Sequence, residues 1–220
     1  MQRRAGFVSG GYARRLELDH VLIPVTNLSA GAQELEARFG LASIEGGRHP
    51  GFGTANRIVP LGDCYLELVA VVDQAEAEQN PFGRRLAAAE PGLDRPLGWA
   101  VRTDRLDEEA ARLGLAVSSG SRATPDGRTL RWRMAGLEEA VAEPFLPFLL
   151  QWEQGTELPG RARVEHPAGD VSLVGLELEG DQDRLDAWLG AGRLPVTLRE
   201  GPPRVATIVL TATAGPIVLG

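Results

Sequence analysis

Three glycines, Gly40, Gly114 and Gly190, fall 74 and 76 residues apart, and each closes the same local pattern. Ahead of Gly40 run the apolar segment Leu16–Val25, a capping residue at Asn27 or Ser29, and Leu28, Ala32, Leu35 and Phe39. Their i, i+4, i+7, i+11 spacing is that of a helix with one buried face. Ahead of Gly114 stand Leu97–Arg102, Thr103 or Asp104 as cap, then Leu106, Ala110 and Leu113. Ahead of Gly190 stand Val171–Leu178, Asp181, then Leu185, Trp188 and Leu189. A glycine at each helix end supplies the left-handed residue that terminates a helix cheaply. Three strand-like runs follow each glycine: Leu41–Glu45, Thr54–Leu61 and Cys64–Val72; Leu115–Ser119, Thr129–Ala135 and Phe145–Trp152; Pro195–Arg199, Arg204–Thr211 and Pro216–Leu219. The chain therefore reads as α+β, three βαβββ units forming curved mixed sheets with helices on the outer face.

A lone unit leaves one sheet face bare, so units must pair. The expected division is a loose tail over 1–15, paired units over 16–155 (16–72 and 96–152), and a shorter third unit over 170–220. Asn80–Glu90, with Pro81 at a helix start, predicts an extra helix, and Pro159–Gly169 reads as a linker. A third unit without a fourth predicts a homodimer.

Composition narrows the partners. A net charge of −7 argues against nucleic acid and anionic membranes. No apolar run reaches the roughly 20 residues of a membrane span, and the arginine-rich start is not a secretory leader. A single cysteine, Cys64, excludes a disulfide framework and fits the cytoplasm. Cys64 has no base beside it in sequence and is not expected to be a nucleophile. No phosphate-binding or dinucleotide pattern is present, so no nucleotide cofactor is expected.

Two polar residues interrupt otherwise apolar strands. His20 should project with Leu18 and Leu22, and Glu67 with Tyr65 and Val69. If Gly62-Asp63 is a two-residue turn, Ile58 faces Glu67 and Asn56 shares its face two positions along. The glycine-rich segment Gly46–Asn56 also carries Arg48 and His49, which suit an anionic group. On Thr129–Ala135, either Arg131 and Arg133 or Trp132 and Met134 face the cleft. His166 reads as a turn element.

The βαβββ repeat, with His49-Pro50-Gly51-Phe52-Gly53-Thr54-Ala55-Asn56 leading into Tyr65-Leu66-Glu67-Leu68, resembles the vicinal oxygen chelate superfamily and its glyoxalase-like branch. The resemblance implies paired units around a cleft, with metal ligands on the first and last strand of each. Those places hold His20 and Glu67 in the first unit. Aligning Leu18-Asp19-His20 with Leu97-Gly98-Trp99 puts Trp99 and Gln151 there in the second. The metal expectation is therefore His20 and Glu67 holding a divalent ion (zinc, manganese, nickel or iron). Glu67 and His49 are the expected catalytic residues, and Asn56, Trp99, Arg48 and Gln151 the expected substrate contacts. The function implied is a lyase, isomerase or dioxygenase acting on a small polar molecule with adjacent oxygens. The alternative is a metal-free protein that binds a small molecule in the same cleft.

Overall fold

The computed structural model describes residues 16–125, 127–190 and 193–220. The expected tail over 1–15 and turn residue Asp126 lie outside them. The first unit is β1 (Glu17–Pro24), α1 (Leu28–Phe39), β2 (Ile44–His49), β3 (Thr54–Pro60) and β4 (Tyr65–Val71). Two short helices, α2 (Gln74–Ala77) and α3 (Pro81–Ala87), lead to the second unit. That unit comprises β5 (Gly98–Arg102), α4 (Leu106–Leu113), β6 (Val117–Ala123), β7 (Thr129–Ala135), α5 (Leu137–Ala142) and β8 (Phe148–Trp152). The third comprises β9 (Val171–Glu179), α6 (Gln182–Leu189), β10 (Val196–Arg199), β11 (Arg204–Ala212) and β12 (Ile217–Leu219). The α+β class and the repeated βαβββ order are as read from the sequence.

Local chemistry explains the helix ends. The Asn27 side chain accepts from Ala30 N at 2.9 Å, and Asp181 accepts from Arg184 N at 2.9 Å, satisfying donors that a helix start leaves open. Gly40 ends α1 at φ 65°, and a Cβ there would stand 2.8 Å from Ala168 N. Neither the backbone nor the space admits a side chain. Two helices were missed, α2 and α5; each is too short to show periodicity. Gly46–His49, expected in a loop, is strand. A bulge between Glu45 and Gly47 lets β2 pair with β3 up to His49–Thr54.

The first two units join back to back through antiparallel β1 and β5 into one sheet, ordered β2-β3-β4-β1-β5-β8-β7-β6. The sheet curls until its two edges meet. Arg122 on β6 donates to Gly46 O on β2, and a Cβ on Gly47 would lie 2.1 Å from Ala123 O. Only glycine permits that approach, so the Gly46-Gly47 pair nearly closes a barrel. The helices α3 and α5 pack together beside its interior, which Leu22, Val69, Phe82, Ala100, Phe148 and Leu150 fill.

The third unit keeps the element order and changes the pairing. Its sheet runs β10-β9-β11-β12, whereas each earlier unit pairs its first strand parallel to its last. The apolar face of this sheet packs on the outer face of the main one: Leu176, Leu178, Val205 and Ile208 share a core with Val21, Ile23, Trp99 and Val101. Arg112 of α4 donates to Ala187 O and Trp188 O at the end of α6, and Trp188 Nε1 donates to Pro147 O at 2.8 Å. The face expected to need a partner subunit is covered within the chain. Glycines and His166 also pin the linker: His166 Nδ1 accepts from Ala42 N, and its Nε2 donates to Pro60 O. Among the described residues no helix is long and apolar enough to cross a membrane.

One ion cluster locks the third sheet. Glu179, at the end of β9, accepts from Arg204 and Arg199 on the two neighbouring strands. Arg204, then Arg199, hold its carboxyl down at about 2, against 4.5 ordinarily, and burial only partly opposes them. A depressed carboxylate stabilises the fold above its unfolded value and loses that contribution as pH falls through the folded one. Glu179→Gln is therefore expected to melt below wild type at pH 7. The gap should narrow from about pH 4.5 downward and vanish near 2. A gap that stays constant across that range, by thermal melts, would assign Glu179 no ionic role.

Candidate active site

The site begins with a register break. In the β1–β5 ladder Leu18 faces Val101 and His20 faces Ala100, so Asp19 is the extra residue of a bulge. A bulge turns two successive side chains toward one face. Leu18 consequently joins the outer core, while His20 lines the barrel interior with Leu22. Asp19 sits behind it: Oδ1 accepts from His20 Nδ1 at 2.7 Å, and Oδ2 accepts from Trp152 Nε1 at 2.9 Å. Sequence alternation paired His20 with Leu18 and missed Asp19 altogether.

Regular alternation along β4 brings in Tyr65 and Glu67. Glu67 lies opposite Ile58, and Asn56 lies opposite Val69, the register a two-residue Gly62-Asp63 turn imposes. The Glu67 carboxylate stands between two imidazoles, Oε2 3.7 Å from His20 Nε2 and Oε1 3.9 Å from His49 Nε2. His49 Nδ1 hydrogen-bonds Thr54 Oγ1 at 2.9 Å, and the His20 ring stacks on Tyr65 at 4.8 Å. Burial disfavours charge on His20, but the Asp19 hydrogen bond and the Glu67 charge outweigh it and raise its pKa. His49 lacks a carboxylate on its far side, and burial lowers its pKa. Burial, then Asp19 and Glu67, push the Tyr65 phenol well above its usual range. Two histidines thus hold opposite preferences beside one carboxylate, a pattern that separates acid from base.

The cavity is about 60 Å³ and open on one side, walled by Phe52, Phe82, Met134, Phe148, Leu150 and the edge-to-face pair Trp132 and Trp152. Asn56 reaches it, and its buried Oδ1 has no hydrogen-bond partner among the described residues. Arg122 reaches it from β6 and was missed from the sequence. Its signal was weak: a lone arginine after Ser118-Ser119-Gly120-Ser121 reads as surface. Only the β6–β7 register, Gly120 opposite Trp132, aligns it with the cleft face.

Three expected substrate contacts lie elsewhere. Trp99 faces Val21 across the ladder, on the outer side, fully buried, with Nε1 donating to Phe145 O at 3.0 Å. The bulge at Asp19 shifts the register by one residue, so Ala100 takes the place assigned to Trp99. On β8, Phe148, Leu150 and Trp152 line the cavity, while Gln151 points outward and donates to Asp104 O. Arg48 is exposed and sits 3.7 Å from Asp73 and 3.9 Å from Glu76. Arg131 and Arg133 alternate outward, Arg133 pairing with Asp107. Burial pushes the Cys64 thiol up to about 11, which removes it as a nucleophile.

The donor set also answers the metal expectation. By the strand register, Ala100 and Leu150 occupy the second unit's equivalents of His20 and Glu67. Neither can bind a metal. The cationic Arg122 shares the cavity and would repel a divalent ion. Among the described residues no group of three or more His, Cys, Asp or Glu side chains is placed to hold an ion. These residues do not fit a resident divalent metal, and no step below runs through one.

Comparison with known proteins agrees with this architecture. The family model described as "Glyoxalase-like domain" matches residues 18–192. A crystal structure of a hypothetical protein from Staphylococcus aureus superposes with a TM-score of 0.68 at 12% identity, covering 90% of this chain and 91% of that one. Methylmalonyl-CoA epimerase from Streptomyces coelicolor, in complex with 2-nitronate-propionyl-CoA, gives a TM-score of 0.45 at 18% identity, covering 64% and 98%. The Mycobacterium tuberculosis epimerase gives 0.45 at 18%, covering 64% and 89%. No curated protein matches the chain in sequence.

Proposed function

Because the chain belongs to the glyoxalase-like domain family, we propose that the barrel interior is the active site of a small-molecule isomerase or lyase working by proton transfer. Glu67 takes a proton from a carbon next to a carbonyl, and the electron pair moves onto the carbonyl oxygen. His20, whose proton affinity Asp19 and Glu67 raise against the effect of burial, donates to that oxygen. The proton then returns to carbon, or a neighbouring group departs. His49, neutral and oriented by Thr54, keeps the carboxylate in place. The carrying observation is the position of Glu67, buried in apolar walls between imidazole nitrogens at 3.7 and 3.9 Å. There the carboxylate is shielded from water and held facing the cavity, within reach of a bound substrate's C–H.

The test is deuterium uptake from heavy water into pyruvate, 2-oxobutyrate and phenylpyruvate, followed by proton NMR. Catalysed exchange supports the reading. Binding without exchange would make this a small-molecule binding protein using the same cleft. Zinc, manganese, nickel and iron(II) are expected to leave the melting temperature of the wild-type protein unchanged. A stabilisation by one of them that His20→Ala abolishes would restore the chelate reading. The proposal places the protein in the cytoplasm, in line with its single cysteine. Since the third sheet is covered in-chain, sedimentation should give a mass near 23.6 kDa. Twice that mass would mean another surface pairs two chains.

A further inference from the structure

Among the described residues Arg122 is a buried charge with no carboxylate partner. Its residue is 5% exposed, and its guanidinium donates to Gly46 O. The other buried charges are met: Glu109 by Arg112, Glu179 by Arg199 and Arg204, and Asp19 and Glu67 by His20 between them. A guanidinium held out of water without an anion is costly, and proteins keep such groups where something else supplies the charge.

The surroundings say what that something is. Arg122 opens onto the same cavity as Glu67 without touching it, and its charge lowers the proton affinity of His20 and His49 and of the Tyr65 phenol. Gly46 and Gly47 strip side chains from the seam, and a Cβ on Gly46 would lie 1.9 Å from Asn56 Oδ1. The arginine therefore enters the barrel only because the opposite edge is bare. The same cavity is lined by Trp132, Met134 and Leu150, walls for a hydrocarbon body. A planar guanidinium matches a carboxylate in two parallel hydrogen bonds, and a cavity of about 60 Å³ favours a compact group.

We propose that Arg122 is an anion subsite and that the ligand is a small monocarboxylate with an apolar body. The inference rests on the reading of this cavity as the substrate site, and names the substrate's class. Its carboxylate lies on Arg122, leaving the carbon that bears the exchangeable proton toward Glu67.

The test uses the full-length protein with benzoate and butyrate, their neutral amides benzamide and butyramide, and inorganic phosphate. Binding is read by tryptophan fluorescence, since Trp132 and Trp152 line the cavity, and by thermal shift. The carboxylates should bind at least about tenfold tighter than the amides. Arg122→Gln should abolish that preference while amide binding stays. Arg122→Lys, a point charge in place of a fork, should weaken carboxylates several-fold, and decides the matter if Arg122→Gln fails to fold. Glu67→Gln should leave carboxylate binding intact, so a lost proton exchange and a lost anion subsite are separable. Equal affinity for acids and amides, phosphate outcompeting both carboxylates, wild-type binding in Arg122→Gln, or no binding up to about 10 mM would overturn the proposal.

Discussion

Glu67→Gln is expected to lower the deuterium exchange rate by about 10²- to 10⁴-fold, the range of a lost general base, with little change in melting temperature. Glutamine keeps the volume of glutamate and offers an oxygen to one histidine and an amide NH2 to the other, where carboxylate oxygens now stand 3.7 Å from His20 and 3.9 Å from His49. It cannot accept a proton. The carboxylate is 6% exposed, so water does not readily replace it as base. Glu67→Asp should retain partial activity, because the group survives but retreats by one methylene. The discriminating result is a normal melt with lost exchange. Exchange at the wild-type rate in a folded Glu67→Gln protein would remove Glu67 from the chemistry.

Trp99→Ala is expected to cost about 3–5 kcal/mol of stability, the range for truncating a buried aromatic. Trp99 has no exposed surface and sits in the core shared by β1, β5 and the third sheet. Its removal would leave a cavity between the main sheet and that sheet. It would also leave Phe145 O without its donor, a further penalty of about 1–3 kcal/mol if no water replaces it. Urea unfolding measures both, and Trp99→Phe should cost less because it fills most of the volume. Ligand-dependent fluorescence should persist in Trp99→Phe, since Trp132 and Trp152 face the cavity. A near-wild-type midpoint for Trp99→Ala would mean the third unit does not depend on this contact.

Much of the fold was legible in the sequence because it depends on local periodicity. The i, i+4 stripe of Leu28, Ala32 and Leu35, the glycines that end α1 and α4, and the alternation around Glu67 are properties of neighbouring residues. So is the Gly62-Asp63 turn, which carried Asn56 to the face of Glu67. The sequence singles out His49 as a residue of a glycine-rich segment suited to an anionic group, and the structure places it on β2. The rest needed contacts between distant segments. One extra residue at Asp19 turned Trp99 away from the cleft and Ala100 into it, and nothing in the local pattern announces a bulge. Gln151 failed by one residue for the same reason: a one-residue slip reverses the face of every side chain.

The amino-acid sequence by itself determined three βαβββ units, a carboxylate and one histidine on strands that could share a cleft, and a second histidine in a nearby glycine-rich segment. Their spacing along the chain is set by covalent geometry and by helix and strand periods. Tertiary structure alone decided that the two sheet edges meet at Gly46 and Gly47, that the third sheet covers the outer face, and that Arg122 ends inside the barrel. Those outcomes are set by long-range strand pairing. Register and curvature balance apolar burial against backbone hydrogen bonding across the whole sheet, so no single segment encodes them.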